Sequence, residues 1–333
     1  MNISKKNLFY LSIPVFFSNS AVPLVGLVDT GLMGNLEESK FLAATSVATA
    51  VMTMIVWSFS FLRMGTVGIV SELYGKSDYR EIARTLLRNI IIALIISVIL
   101  ILLKSSIIDL TKIYFKTSFE TNELIDKYIF VRIHSIPAEF MIYIMVGFFL
   151  GIQKTNISSL IVIILSALNI VLSSLFVLSL NLDVLGVVLG TLIASYSTAI
   201  IFSFYTYKFI VSKFQISFSL QKLFILSKLF KLFSINFNIF IRTLLLTFTF
   251  LWVTFLGSKL GEDFLAVNAI LMQFIILASF FLDAYAYSTE GVVGYTLGRK
   301  NEKNFLIAVR NSIFLSFITA LVISTIYLIF FKK

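Results

Sequence analysis

Four acidic residues lie inside long apolar segments of this sequence: Asp29, Glu139, Asp283 and Glu290. A charged side chain at the centre of a membrane helix costs roughly 2.5–3.5 kcal/mol on insertion scales, so each acid needs a partner, a wet cavity or a function. Burial also favours the neutral form of a carboxyl group, which brings its titration closer to physiological pH. The chemistry that these residues could perform is therefore reversible protonation inside a membrane.

Asp29 is the acid with the strongest case for a function. Pro23 lies with Asp29 in the stretch "NSAVPLVGLVDTGLMGN", and Pro14 lies shortly before that stretch in the same apolar segment. Because proline removes a backbone donor and bends a helix, it lets water and a flexible segment approach the acid. We expect Asp29 to bind and release protons. Glu139, close to Pro137, is explained equally well by a structural pairing with a neighbouring helix.

Three residues of the stretch "FLDAYAYSTEGVVG" share one helical face: Asp283, Tyr287 and Glu290, spaced by four and three positions. A polar stripe on a membrane helix faces protein or water rather than lipid. Arg63 is a candidate partner for one of these acids. The pattern leaves two interpretations open, a structural ion pair between helices and a ligand site.

The composition identifies an integral membrane protein. Of 333 residues, 59% are hydrophobic and 13% are charged, against roughly 25% charged in an ordinary soluble domain. The chain has no cysteine and one histidine, His134, which excludes thiolate chemistry and argues against a zinc site or an intramembrane enzyme. The net charge of +10 comes from basic residues in short loops, which predicts topology signals rather than nucleic-acid binding.

Nine apolar segments have the length of a membrane span, and all should be helical because a helix satisfies its own backbone in lipid. They cover 7–34, 41–71, 86–103, 125–150, 157–180, 184–211, 229–256, 264–294 and 305–331. Lysine and arginine are more frequent in the loops on the side of the N-terminus, which predicts a cytoplasmic N-terminus.

An internal repeat relates the two ends of the chain. At a constant offset, three pairs of glycines match: Gly34 and Gly257, Gly68 and Gly291, Gly75 and Gly298. Six predicted spans separate the copies, so they should have the same orientation and be related by a two-fold axis along the membrane normal. This predicts a first lobe over 1–211, a cytoplasmic loop over 212–228 and a second lobe over 229–333. By this count the second lobe lacks three helices.

Several motifs resemble the MATE (multidrug and toxic compound extrusion) transporters, specifically their DinF-like branch. They are "VPLVGLVDTGLMG", "FLRMGTVG", "IPAEF" followed by "GFFLGIQKTN", "LNIVLSSLFV", "LGVVLGTLIA" and "FLDAYAYSTEGVVGYTLG", which together span almost the whole chain. The resemblance implies two lobes of six helices around a central cavity, and export of organic compounds driven by re-entry of protons or sodium ions.

The resemblance also implies roles for individual residues. Asp29 matches the acid of the family's first helix, whose protonation is proposed to bend that helix and release substrate. Asn169 and Thr191 match polar residues of the family's fifth and sixth helices. The sequence departs from the family at Ser173, where an aspartate is usual, so the hydrogen-bond partner expected for Asp29 is weaker here.

The predicted function is cation-coupled, most simply proton-coupled, antiport of small organic compounds across the inner (plasma) membrane. Asp29 would couple the ion, and the cavity would be lined by Asn169, Ser173, Thr191, Arg63, Asp283, Tyr287 and Glu290. No cofactor is expected beyond the coupling H⁺ or Na⁺. The partners are the lipid bilayer, the substrate and, unless the sequence is a fragment, a separate chain that supplies three helices. The alternatives are a lipid-linked precursor flippase of the same superfamily and an inactive truncated remnant.

Overall fold

The computed structural model describes residues 4–36, 38–115, 118–214, 226–259 and 262–330, and these residues form helices without any strand. The helices are α1 Lys5–Gly34, α2 Ser39–Ser58, α3 Phe61–Gly75, α4 Tyr79–Leu102, α5 Lys104–Phe115, α6 Phe119–Arg132, α7 Ile136–Gly151, α8 Thr155–Ser174, α9 Asp183–Phe214, α10 Leu226–Lys259, α11 Glu262–Gly298 and α12 Glu302–Phe330. The predicted all-helical class is confirmed.

Each of the nine predicted spans coincides with a helix or with two consecutive helices. Among the described residues, seven stretches are long and apolar enough to cross a membrane: Lys5–Gly34, Ser39–Gly75, Tyr79–Leu102, Phe119–Gly151, Thr155–Ser179, Asp183–Phe214 and Glu302–Ile329. The predicted seventh and eighth spans coincide with α10 and α11, which have 34 and 37 residues.

The predicted second span is divided into α2 and α3 by a tight turn. The Ser58 hydroxyl donates to the Met54 carbonyl at 2.8 Å, and the Phe59 and Ser60 amides donate three residues back instead of four. Such short-range bonds compete with regular helical bonding. The turn brings Arg63 into the first turn of α3.

The predicted fourth span is divided into α6 and α7 by a 3₁₀ turn over Ile133–Ser135. Pro137 lies in the first turn of α7, where its missing amide proton leaves the Ile133 carbonyl without the usual helical donor. The break places the end of α6 beside the start of α7, so that side chains from both can meet.

Helix α5 was predicted as part of an extracellular loop, and the structure shows an amphipathic helix there. Leu110, Ile113 and Tyr114 are exposed, whereas Lys112 donates to Asp126 of α6 at 3.0 Å. This hydrogen bond raises the pKa of Lys112 above its ordinary value. An exposed apolar face beside a charged one is typical of a helix that lies in the membrane interface.

The boundaries of the predicted inter-lobe loop, 212–228, are approximate. Helix α9 continues to Phe214 and α10 begins at Leu226, so both helices enter the predicted loop, and 215–225 lie outside the described residues. The division into lobes stays a prediction.

Helix α7 runs through the centre of the bundle and packs against α3, α4, α8, α9 and α11. Its side chains Phe140, Phe148 and Phe149 are fully buried. Since α7 contacts helices of both predicted lobes, it can connect the groups that each of them presents.

The backbones of helices α3 and α11 are in close contact at their C-terminal ends. A Cβ atom added to Gly75 would collide with the carbonyl oxygen of Tyr295, and one added to Gly298 with that of Glu72. Each added Cβ would also lie 3.0 Å from the Cα of the other glycine. The sequence repeat matches Gly75 with Gly298 and Glu72 with Tyr295, so the two collisions are equivalent contacts. This is expected where a two-fold axis passes between equivalent positions.

Candidate functional site

Asp29 lies in the C-terminal third of α1 and is half-buried. Its Oδ1 atom is enclosed by protein and accepts no hydrogen bond from any described residue. The side chain of Ser173 on α8 interacts with the carboxyl group. Because an ionised carboxylate is costly to bury without donors, this environment favours the protonated carboxyl group over the ionised one.

A short hydrogen-bonded chain lies beside Asp29, between α8 and α9. The Asn169 amide donates to the Thr191 hydroxyl at 2.9 Å, and the Ser173 hydroxyl donates to the Asn169 oxygen at 3.3 Å. Both hydroxyls also approach the Val187 carbonyl, Ser173 at 3.3 Å and Thr191 at 3.1 Å. The structure thus brings together the four residues that the sequence placed in the first lobe.

An ion pair that the sequence analysis did not identify forms where α6 meets α7. The Arg132 guanidinium contacts both carboxylate oxygens of Glu139; the Nη1 bond to Oε1 is very short, and Nη2 lies 3.2 Å from Oε2. Ser135 accepts from Arg132 and donates to Glu139 Oε1 at 2.7 Å. The two charged side chains are 14% and 11% exposed. This is a bidentate, hydrogen-bonded pair of the strong kind.

Arg132 also belongs to the environment of Asp29. Its positive charge acts on the Asp29 carboxyl group and on the buried phenol of Tyr128, which is 3% exposed. The Tyr128 hydroxyl shares a hydrogen bond of 3.0 Å with Thr49 of α2. The environment of Asp29 therefore combines hydroxyl and amide groups of α8 and α9 with the electrostatic influence of a paired cation on α6.

A second cluster lies between α3 and α11. The Arg63 guanidinium stacks on the Tyr287 ring, 3.7 Å from its centroid, and its Nη1 lies 3.9 Å from Glu290 Oε2. At this distance the pair is electrostatic without a hydrogen bond. Neither Arg63 Nη1 nor Glu290 Oε2 has a hydrogen-bond partner among the described residues.

Helix α10 adds two polar residues to the second cluster. The Asn236 Oδ1 atom is buried, packs against the backbone at Gly65 and accepts no hydrogen bond from a described residue. Arg242 approaches the Met64 sulfur at 3.8 Å and interacts electrostatically with Asp283 and Glu290. The predicted residues Arg63, Asp283, Tyr287 and Glu290 are therefore close together, and several of the buried polar atoms have no hydrogen-bond partner within the part of the chain that the structure describes.

Tyr143 of α7 lies between the two clusters. It interacts electrostatically with Glu139 and Arg132 on one side and with Arg63 and Tyr287 on the other. Tyr143 and Glu139 are four residues apart and so share a face of α7. Tyr143 and the Arg132 and Glu139 pair were missing from the predicted site, although the seven-residue spacing across Pro137 is a signal that could have indicated the pair.

The fold and these buried polar clusters define a polytopic helical membrane protein of the transporter type. The MatE family model matches residues 14–175 and 239–333. The DNA damage-inducible protein F of Escherichia coli (strain K12) is 32% identical over 326 residues, which cover 98% of this chain and 71% of that protein. The chain belongs to the MatE family of multidrug and toxic compound extrusion transporters.

A more distant relative is the multidrug export protein MepA of Staphylococcus aureus (strain MRSA252). It is 24% identical over 203 residues, 61% of this chain, and the chain covers 45% of the length of MepA.

Solved MATE structures share the fold. A MATE protein in complex with MaD5 has a TM-score of 0.89 at 21% identity, over 98% of this chain and 74% of that one. An outward-facing multidrug resistance transporter of the MOP superfamily has a TM-score of 0.88 at 21% identity, over 98% and 73% of the two chains.

Proposed function

We propose that this chain is a proton-coupled antiporter that exports organic compounds across the inner (plasma) membrane. Its family supports export, and its similarity to MepA, a multidrug export protein, supports drug-like compounds as the substrate class. In this proposal Asp29 carries the coupling proton, and the cavity is lined by Asn169, Ser173 and Thr191 in the first cluster. No cofactor other than the coupling ion takes part.

The observation that carries the proposal is the environment of Asp29. Its Oδ1 atom is buried without a donor among the described residues, next to the chain of Asn169, Ser173 and Thr191. A protonated carboxyl group supplies its own donor there, and an ionised one attracts a cation or water. Exchange between these two states is what antiport with protons requires.

The second cluster contributes the opposite wall of the cavity. Arg63, Asp283, Tyr287 and Glu290 lie on α3 and α11, the two helices that meet at Gly75 and Gly298. Their unpartnered buried atoms provide polar contacts for a substrate.

A lipid-linked precursor flippase fits these residues less well. It requires free cations for pyrophosphate, whereas Arg63, Arg88 and Arg132 each lie beside a carboxylate.

Replacement of the proposed coupling acid gives the direct test. Asp29→Asn should abolish efflux of ethidium driven by a pH gradient in proteoliposomes, because the amide cannot exchange a proton. The matched control is Asp109→Asn, since Asp109 is 69% exposed on α5. Efflux that stays proton-driven in Asp29→Asn would refute the coupling role. Efflux that needs sodium in wild-type protein would assign the coupling ion to Na⁺.

The membrane orientation can be tested by thiol labelling in this cysteine-free chain. With a cytoplasmic N-terminus, the turn after α3 lies inside and α5 lies outside. In intact cells, Ser77→Cys should resist a membrane-impermeant maleimide, and Ser105→Cys, which is exposed and shares the charged face of α5 with Lys112, should react. The reverse pattern of labelling would invert the proposed topology.

A further inference from the structure

We propose that Arg132 is a positioning residue that sets the proton affinity of Asp29, and that Glu139 moderates it by holding the guanidinium as an ion pair. The inference rests on the proposed coupling role of Asp29 and gives a role to Arg132 and Glu139, to which the family resemblance assigned none. It assigns a task to the ion pair at the junction of α6 and α7.

The geometry of the pair holds the cation in one place. Arg132 is fixed by two contacts to Glu139 and one to Ser135, and Ser135 is itself bonded to Glu139 and to the Arg132 carbonyl at 2.7 and 2.6 Å. The 3₁₀ turn before Pro137 places these three residues within hydrogen-bonding reach. A guanidinium held in this way cannot swing freely to Asp29, and it acts on that acid through its field.

The charge balance explains why the strength of this field matters. Arg132 and Glu139 together are neutral, so the local charge is zero when Asp29 is protonated and −1 when it is ionised. A free cation at this place would keep Asp29 ionised, and a free anion would keep it protonated. The pair holds the acid between these limits, where it can exchange its proton.

No other described element packed on α1 presents a competing charge to Asp29. Helices α8 and α9 present the neutral Asn169, Ser173 and Thr191, and α6 presents Tyr128 together with Arg132.

The remaining charges near α1 have other partners or lie away from Asp29. Lys40 on α2 pairs with Glu38 and Glu120. On α11, Asp283 interacts with Arg63 and Arg242, Glu290 lies beside Arg63, and Tyr285 packs on Phe16 of α1. On α12, Arg310 is exposed.

The experiment is an infrared titration of the chain in lipid bilayers. The carbonyl-stretch band of a protonated carboxyl group that is lost in Asp29→Asn reports Asp29, and its intensity against pH gives a midpoint without any need for a known substrate. Efflux of ethidium against pH gives the same midpoint under transport conditions.

The variants of the pair should shift this midpoint in opposite directions. Glu139→Gln leaves the cation unopposed and should lower the midpoint, whereas Arg132→Gln leaves the anion and should raise it, each by roughly one pH unit or more. Arg132→Lys retains the charge and should restore a midpoint close to wild type.

A charge exchange separates this role from a structural one. In the double variant Arg132→Glu with Glu139→Arg the pair remains neutral and able to bond, but its anion now occupies the position whose charge acts on Asp29. We expect a raised midpoint. If the pair only holds α6 against α7, the exchanged variant should keep the wild-type midpoint.

The outcomes separate the two proposals. The role of Arg132 would be overturned if Glu139→Gln and Arg132→Gln shifted the Asp29 midpoint in the same direction. It would also be overturned if the folded Arg132→Lys variant and the charge-exchanged variant had the same midpoint. In both cases Asp29 would remain the coupling acid. A wild-type spectrum without a titrating Asp29 band, or proton-driven efflux in Asp29→Asn, would overturn the coupling proposal itself.

Discussion

The two polar clusters contain similar side chains but differ in how these are bonded. In the first, Arg132 and Glu139 share two direct contacts and a serine that bridges them. In the second, Arg63 and Glu290 are 3.9 Å apart, and each leaves a buried atom without a hydrogen bond among the described residues. Preorganised bonds fix a geometry, whereas loosely paired charges can change partners at little cost.

This difference in bonding reflects which helices each ion pair connects. The first pair connects α6 and α7, which are consecutive in the chain and separated by one short turn. The second connects α3 and α11, which belong to the two different predicted lobes. In the proposed transport cycle the two predicted lobes move relative to each other, so a contact between them must break and reform. A loose pair suits this interface better than a bidentate one.

Removal of each arginine should have the largest effect on stability. A less stable variant at Arg63 than at Arg132 would contradict the difference between the two clusters. Arg132→Met leaves Glu139 buried without its cation, and loss of one partner of a buried pair costs about 3–5 kcal/mol. Arg63→Met loses the stacking of the guanidinium on Tyr287, which contributes about 2 kcal/mol. Its pairing with Glu290 has no hydrogen bond to lose. Thermal unfolding at a fixed scan rate should rank Arg132→Met as the less stable variant, with the exposed Arg80→Met as the control.

The glycines at the α3 and α11 interface give the next effect. Gly75→Ala or Gly298→Ala forces a methyl group into the opposite backbone, which should cost about 1–3 kcal/mol and slow transport. A Cβ at Gly68 meets nothing within 4 Å, so Gly68→Ala is the matched control. Equal stability of Gly75→Ala and Gly68→Ala would show that the two helices do not approach this closely.

A new carboxylate in the first cluster should have the smallest effect, a shift in the pH optimum of efflux. It tests whether the first cluster responds to an added charge. Ser173→Asp restores the residue usual in the family beside Asp29. Since two neighbouring carboxylates disfavour each other's ionisation, the pH optimum of efflux should rise, by about one unit. Ser179→Asp, at an exposed position beyond α8, should leave the optimum in place. An unchanged or lowered optimum in Ser173→Asp would mean that the two positions do not interact.

Much of the fold could be predicted because the apolar segments are long and each satisfies its own backbone. The interruptions were harder to predict. The turn at Phe59 and Ser60 has no proline or glycine to mark it, and a serine bond like that of Ser58 also occurs inside the unbroken helix α4 at Ser97. Helix α5 is short and charged on one side, so hydropathy alone does not separate it from a loop.

The predicted site residues were found close together for the same reason in both clusters. Asn169 and Ser173 are four residues apart on α8, as are Asp283 and Tyr287 on α11, and helical spacing places such pairs on one face. The pairing of Arg63 with an acid of α11 is also observed. Arg132 and Glu139 were not predicted as a pair because a spacing of seven places two residues on one helical face but two turns apart, and the 3₁₀ turn between them brings them into contact.

The contact between Gly75 and Gly298 has a mechanical consequence, since it lies at one end of a long bundle. If the predicted lobes rotate about this contact in the proposed transport cycle, each lobe extends from it over about the thickness of the membrane, roughly 30 Å. A rotation of about 10° at the pivot moves the far end by about 5 Å on that scale. In the proposed transport cycle, a small rotation where these two glycines pack would therefore open the far end of the bundle enough to admit a small organic molecule.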